Sequence, residues 1–389
     1  MIEEIKEIVS SYFNEIVKIR RHIHKHPELS FNEYKTSAYI KSVLTSWDIP
    51  FSENIADTGI VVLLEGNNCN LKIIAFRADF DALPILEENN IDYCSLNEGV
   101  MHACGHDVHT ASLLGVIKVL NNLKDKWEGS VKFIFQPAEE NFPGGAKQMI
   151  KEGVLDNPNV ERIFAQHVFP DLEVGKVGFC KGQYMASADE IHVSIKGVGG
   201  HAALPHKYRN PIVAGAKLII DLDEFFLPLK NKPSVFAIGF IKADGYTNVI
   251  PEALNLKGTF RAMNEEFRVN SHKNMLKIAD KISKLYNVEI DFQIIKGYPS
   301  LFNDISLTEN SINFAKQYMG EENVVELGTR MTAEDFSYFS YEVPSCFYRL
   351  GTANLSKGIT HGLHTSRFNI DEDALKFGVG LMAYLAIKS

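Results

Sequence analysis

The sequence predicts an α/β protein: a mixed, mostly parallel sheet covered by helices, with a small α+β unit inserted into it. Three observations carry that expectation. Short apolar runs rich in Val, Ile and Phe alternate with helical patterns in the first half of the chain. In the middle the order becomes strand, helix, strand, strand, helix, strand, the split βαβ pattern of a four-stranded, ferredoxin-like sandwich. Helix and strand then alternate again towards the C-terminus.

Each element has its own signal. Ile2, Ile5, Ile8, Val9, Tyr12, Phe13, Ile16 and Ile19 recur at helical spacing, so an amphipathic helix opens the chain. HKHPELSFNE breaks it, and a second helix follows over about 34–47. GIVVLLEG, LKIIAFRAD and VKFIFQPAEE are short, apolar and bounded by turn residues, as buried strands are. Between the last two lies MHACGHDVHTAS, leading into ASLLGVIKVLNNL, a helix with Leu113, Val116, Ile117 and Leu120 on one side. The middle pattern then runs EIHVSIKGVGG (strand), PIVAGAKLIIDLDEFF (helix), SVFAIGFIKADG and EALNLKGTFRAMN (strands), EEFRVNSHKNMLKIADKISKLY (helix) and VEIDFQIIKGYPS (strand). These runs set the inserted unit at 184–296 and the larger domain at 1–183 and 297–389.

Composition narrows the function classes. Hydrophobic residues make up 45% and charged residues 23% of the 389, an ordinary balance for a soluble protein with a real core. The net charge of −9 argues against nucleic acid as a partner, because phosphate binding wants a basic face. Five scattered cysteines lack a framework spacing and suit a reducing compartment. No stretch approaches the ~20 apolar residues of a membrane span. MIEEIKEIVSSYF lacks the basic start and apolar run of a secretory leader. A cytoplasmic location without membrane contact is expected.

In open α/β sheets, ligands gather at the C-terminal ends of the parallel strands. Asp79 and Asp81 follow one predicted strand, Glu139 and Glu140 another, and His167 the apolar ERIFAQ. MHACGHD supplies Cys104 and His106, and GLHTSRF supplies His364. Singly, each has a plain structural role: a turn cap, a solvated acid, a hydrogen-bonded core histidine, a small buried thiol. Together they are the donor types of zinc and similar metals. One of the two adjacent glutamates can bind metal while the other takes a proton from water. A Cys104–His106 or Cys104–His109 nucleophile pair is the rival, and it leaves Glu139, Glu140, His167 and His364 unexplained. There is no dinucleotide or phosphate-loop fingerprint.

RRHIHKHPELSFNE, RADFDALP, MHACGHDVHTASLL, FQPAEE with PGGAK, QHVFP, GVGGHAALPH, NVIPEAL, GTFR, AEDFSYF and LHTSRF carry a resemblance that runs almost end to end. The chain resembles the hippurate hydrolase, N-acyl-amino-acid amidohydrolase (aminoacylase) and auxin-conjugate hydrolase group of co-catalytic metallopeptidases. The resemblance implies a zinc-exopeptidase-like fold and two divalent metal ions, zinc, manganese, nickel or cobalt. By motif, Cys104, His106, Glu140, His167 and His364 would be the ligands and Glu139 the general base, with Asp79 steering a ligand from behind. It gives Asp107 and His109 no assigned role. The inserted unit resembles the group's lid and dimerisation domain, which implies a homodimer or a higher homo-oligomer. There His201 would reach the oxyanion, and Asn248 and Arg261 would contact substrate. Two departures bear on specificity: Thr332 where relatives commonly carry glycine, and Val198 where lysine is frequent.

The expected reaction is hydrolysis of an N-acyl amino acid, N-acetyl or N-benzoyl, to a carboxylate and a free amino acid. The alternatives are a dipeptidase or carboxypeptidase, an N-acetyldiaminopimelate deacetylase using the same site, a non-catalytic metal-binding protein, and a thiol-based redox role for Cys104.

Overall fold

A computed structural model describes residues 1–227 and 233–389; residues 228–232, inside the expected 184–296 unit, lie outside the described residues. The chain divides into two compact units, Met1–Gly182 with Phe302–Gly328 and Asp335–Ser389, and Gln183–Leu301 with Thr329–Glu334.

The first part of the chain forms α1 (Ile2–Lys25), α2 (Tyr34–Ser46), β1 (Ser52–Ile55), β2 (Gly59–Glu65), β3 (Ile73–Asp79), α3 (His106–Asn122), β4 (Ser130–Gln136), α4 (Gly145–Lys151), β5 (Arg162–Glu173), β6 (Val177–Phe179) and β7 (Gly182–Met185). The middle forms β8 (Asp189–Lys196), β9 (Gly200–His201), α5 (Pro211–Phe226), β10 (Ser234–Lys242), β11 (Val249–Ile250), β12 (Ala253–Ala262), α6 (Glu265–Tyr286) and β13 (Glu289–Lys296). The last part adds β14 (Leu301–Asn303), α7 (Ile305–Met319), β15 (Val324–Glu326), α8 (Ser337–Glu342), β16 (Ser345–Ala353) and α9 (Ala374–Lys388).

The larger unit is built on a mixed sheet of order β1-β2-β4-β3-β5-β16-β6-β15. Its centre is parallel, β4 with β3, β3 with β5 and β5 with β16. The antiparallel pairings are β1 with β2, β2 with β4 and β16 with β6. Every residue of β4 is buried, as is nearly all of β3, because a central parallel strand is covered on both faces. Phe76 stacks on Phe164 and Phe133, with ring centroids 5.0 and 6.4 Å apart. Helices α1, α3 and α9 pack on one another, and α7 packs on α9.

The smaller unit has an antiparallel sheet of order β10-β12-β8-β13, the split βαβ pattern expected of it. Its strands bury alternate residues, and Ile191, Val193, Ile195, Leu256 and Phe260 share a core with Leu218 of α5 and Met275 of α6.

Two boundaries differ from expectation. Helix α1 runs on through His24 and Lys25 and ends just before Pro27, whose ring cannot continue a helix. Helix α3 begins at His106, inside the polar motif rather than at the apolar run after it. The short strands β1, β6 and β15 carry too little apolar pattern to be read from sequence. Among the described residues no helix is long and apolar enough to cross a membrane.

Candidate metal centre and active site

Register aligns the polar strand ends. Asp79, the last residue of β3, pairs with Gln136, the last of β4. On the other side Arg77 pairs with Ala165, so His167 of β5 lies level with Asp79. Just beyond β4 the chain turns through Ala138 into Glu139 and Glu140. Ala138 adopts φ 54, a left-handed conformation unusual for a residue with a Cβ. The turn folds back tightly: a Cβ on Gly145 would lie 2.0 Å from the Pro137 carbonyl oxygen. Gly105, at φ 80, swings the chain into α3, and a Cβ there would lie 2.5 Å from Val168.

The side chains of Cys104, His106, Glu140, His167 and His364 come together. Cys104 Sγ lies 3.5 Å from His167 Nε2 and 3.3 Å from His364 Nε2. His364 Nε2 is 3.2 Å from Glu140 Oε1, and His106 Nε2 is 3.9 Å from the same oxygen. Glu139 Oε2 stands 4.0 Å from His106 Nε2. Cys104, His106, Glu139 and His167 are buried, whereas His364 is exposed. His364 also has φ 59, so like Ala138 it is a non-glycine residue held by its surroundings in the left-handed region.

This donor set fits a divalent cation. His106 Nε2 is buried without a hydrogen-bond partner, a costly state unless something else binds it. The donor atoms of Cys104, His106 and His167 lie within 4.8 Å of one another, as do those of Cys104, Glu140 and His364, so Cys104 belongs to both groups. The electrostatics agree. Burial, with the Glu140, Glu139 and Asp79 carboxylates, pushes the Cys104 thiol well up. Burial lowers His106, but Asp79, Asp81 and Glu140 outweigh it and bring it up to about 10. The pocket is rich in negative charge and favours a bound cation.

Behind these donors stands a layer of fixed carboxylates. Asp81 Oδ1 lies 3.1 Å from His106 Nδ1, while its Oδ2 accepts from the Glu140 N–H at 3.0 Å and from Ser30 Oγ at 2.7 Å. Asp79 lies 2.5 Å from His109 Nδ1 and accepts from Arg77 Nη1 at 2.5 Å. The far nitrogen of His109 receives the Val168 N–H at 2.9 Å, so His109 ties β3 to β5. Asp107 turns away from the cluster, towards Arg20 Nε at 2.7 Å and His24 Nδ1 at 2.8 Å. Asp335 accepts from Arg77 at 2.6 Å and from the Ala146 N–H at 3.0 Å, and its own N–H donates to Glu139 Oε1 at 3.4 Å. The anchoring parts of Asp81, His109 and Asp335 were missed in the sequence. All three sit in stretches that stand out there, RADFDALP, HACGHDVH and AEDFSYF, but their partners are remote.

In the smaller unit, His201 and Asn248 are neighbours. His201 pairs with Val249 across β9 and β11, and the Ala202 N–H donates to the Asn248 carbonyl at 3.0 Å. His201 is exposed. Arg261, on β12, is half-buried and donates from Nη1 to the Met331 carbonyl at 3.4 Å.

The sequence pattern of peptidase family M20/M25/M40 matches residues 75–388. The chain belongs to this family. It is 34% identical over 395 residues to thermostable carboxypeptidase 2 of Saccharolobus solfataricus, covering 100% of this chain and 98% of the relative. It is 34% identical over 369 residues to N-acetyl-L-cysteine deacetylase of Bacillus subtilis, covering 94% and 86%. Among solved structures, the Bacillus subtilis YXEP protein, a dinuclear metal-binding peptidase of the M20 family, superposes with a TM-score of 0.82 at 32% identity, covering 97% and 98%. This M20-family chain is thus a metal-dependent hydrolase of amide bonds, on the fold its sequence predicts.

Proposed function

We propose that the protein is a two-metal amidohydrolase that cleaves N-acyl amino acids, N-acetyl or N-benzoyl, to a carboxylate and a free amino acid. The observation that carries this reading is the convergence of five donor side chains beside the buried Glu139. Cys104, His106, Glu140, His167 and His364 would hold two divalent cations, zinc, manganese, nickel or cobalt. When bound, such a pair polarises the scissile carbonyl and lowers the pKa of water from ~15.7 towards ~7. Glu139 then takes the proton of the attacking water at Oε2, and the Asp335 N–H holds its other oxygen. Glu139 next delivers that proton to the departing amide nitrogen. Asp79, fixed by Arg77 and His109, keeps the histidine side of the pocket in place.

The smaller unit supplies the rest of the reading. His201 would donate to the developing oxyanion, and Asn248 and Arg261 would hold the substrate, with the guanidinium suited to a free carboxylate. The unit at 184–296 acts as lid and dimerisation domain, and the enzyme is cytoplasmic.

The carboxypeptidase among the relatives keeps a peptide-cleaving reading in view. Amine release from N-acetyl and N-benzoyl amino acids and from dipeptides tests both, with metal content measured before and after chelation and reloading. Chelator-sensitive turnover with higher kcat/KM on N-acyl amino acids is expected. Higher kcat/KM on dipeptides would make the protein a peptidase. Metal-loaded protein that releases no amine from either class would point to a binding role.

A further inference from the structure

Two left-handed residues that are not glycine share one hydrogen-bond acceptor. Phe31 (φ 64) lies in the turn between α1 and α2, and Ala138 (φ 54) lies immediately before Glu139. The N–H groups of both donate to Glu33 Oε1, each at 2.9 Å. Glu33 is fully buried, and its second oxygen accepts from Thr58 Oγ1 at 3.2 Å. The Ala138 carbonyl accepts from the Gly145 N–H at 3.0 Å, so Ala138 is held on both sides of its strained conformation. A non-glycine residue stays in that region only when its surroundings over-determine it.

We propose that Glu33 is a positioning residue for catalysis: through the Ala138 N–H it fixes the turn that aims Glu139 and Glu140. This rests on the reading of Glu139 as base and Glu140 as metal ligand. The same 27–33 turn reaches the site a second time, because Ser30 donates to Asp81, which accepts the Glu140 N–H. The Glu139–Glu140 pair is thus anchored at Ala138 and at Glu140, and both anchors lead back to one short segment of the α1–α2 connection.

The brace depends on an acceptor and not on charge. Burial and the neighbouring Asp81 carboxylate push Glu33 up to about 7. Protonated at Oε2, Glu33 keeps Oε1 as the acceptor of both N–H groups, and Thr58 Oγ1 becomes an acceptor instead of a donor. A glutamine presents the same pattern, with its carbonyl oxygen towards Phe31 and Ala138 and its amide towards Thr58. Alanine removes the acceptor. Aspartate, one methylene shorter, retracts it from Ala138.

The test compares Glu33→Ala, Glu33→Asp, Glu33→Gln, Thr58→Val and Glu139→Gln in the full-length, metal-loaded enzyme. Each is read for kcat, KM, bound metal per chain and Tm. Thr58→Val loosens the same pocket but leaves the Ala138 bond intact. Glu33→Ala and Glu33→Asp should lose ~10- to 100-fold in kcat with KM little changed, since misplacement of a catalytic group by about 1 Å costs that much. They should also release metal to a chelator sooner. Glu33→Gln should stay within about 3-fold of wild type, and Thr58→Val should keep its kcat while its Tm falls. If Glu33→Ala fails to fold, Glu33→Asp carries the comparison. Wild-type kcat in a folded Glu33→Asp, or equal losses in Glu33→Asp and Thr58→Val, overturns the proposal. Failure of the underlying reading has a different signature: Glu139→Gln itself would retain turnover.

Discussion

Glu139 and Glu140 are adjacent in the chain yet meet different surroundings. Glu140 Oε1 faces His106 and His364, whereas Glu139 Oε1 receives the Asp335 N–H. Removing the carboxylate of Glu139 should therefore separate chemistry from metal binding. Glu139→Gln is expected to keep its metal content while kcat falls by at least ~10²-fold, as loss of a general acid–base group does. Elemental analysis beside single-turnover kinetics checks this, and simultaneous loss of metal would make Glu139 a ligand. A second residue-scale prediction concerns Glu87. Burial raises its carboxyl, but the bond with His24, the Ser95 N–H and Asn89 outweigh burial and hold it down at about 2. Its folded value lies below the ~4.3 of an unfolded glutamate, so its contribution is complete above that pH. The contribution drains away as pH falls towards 2, because there the unfolded chain binds the extra proton. Denaturation midpoints of wild type and Glu87→Gln should differ most at neutral pH and converge between about pH 4.3 and 2. A difference that persists to pH 2 would deny the carboxylate this role.

Elements matter because they carry these residues to fixed places. Helix α3 begins with His106, and its entry requires Gly105 at φ 80 with no room for a Cβ against Val168. Gly105→Ala should weaken metal retention and lower Tm together, through backbone strain and a clash of the kind that costs ~1–3 kcal/mol. Thermal melts with and without chelator measure both, and a variant with wild-type metal content and Tm would contradict it. In the smaller unit, Asn264 caps α6 by accepting the Phe267 N–H at 2.8 Å. Asn264→Ala should cost ~1 kcal/mol of stability without altering metal content. A urea midpoint unchanged from wild type would show that cap to be idle.

For the whole molecule, folding gathers the Glu139 and Glu140 carboxylates and the buried Cys104 thiol into one pocket and leaves His106 Nε2 there without a hydrogen-bond partner. A bound metal pair should therefore stabilise the fold as well as serve the reaction. At 100 times its dissociation constant a ligand contributes ~2.7 kcal/mol. Chelation should lower Tm by several degrees and reloading should restore it, whereas an unchanged Tm would mean that the pocket holds no metal in the folded enzyme. The proposed dimer predicts a sedimenting mass twice the 43.7 kDa of one chain, and a monomer at working concentration would remove that assembly from the reading.

Much of this was already in the sequence. Period and turn residues marked the central strands and the split βαβ unit, because β3, β4 and β8 each carry the burial pattern of their own local environment. Glu139 and Glu140 stood out as adjacent acids at the end of a predicted strand, and Cys104 and His106 because MHACGHDVHTAS packs metal-capable side chains together. What only the tertiary structure decided are the contacts that hold those residues still. Arg20 meets Asp107 from 87 positions away and Arg77 meets Asp335 from 258. Glu33 reaches Ala138 across 105 positions. Local sequence carries a residue's type and its strand or helix period. Which remote donor satisfies a buried carboxylate depends on how the sheet order and the helix packing bring distant segments together, and no local pattern encodes that.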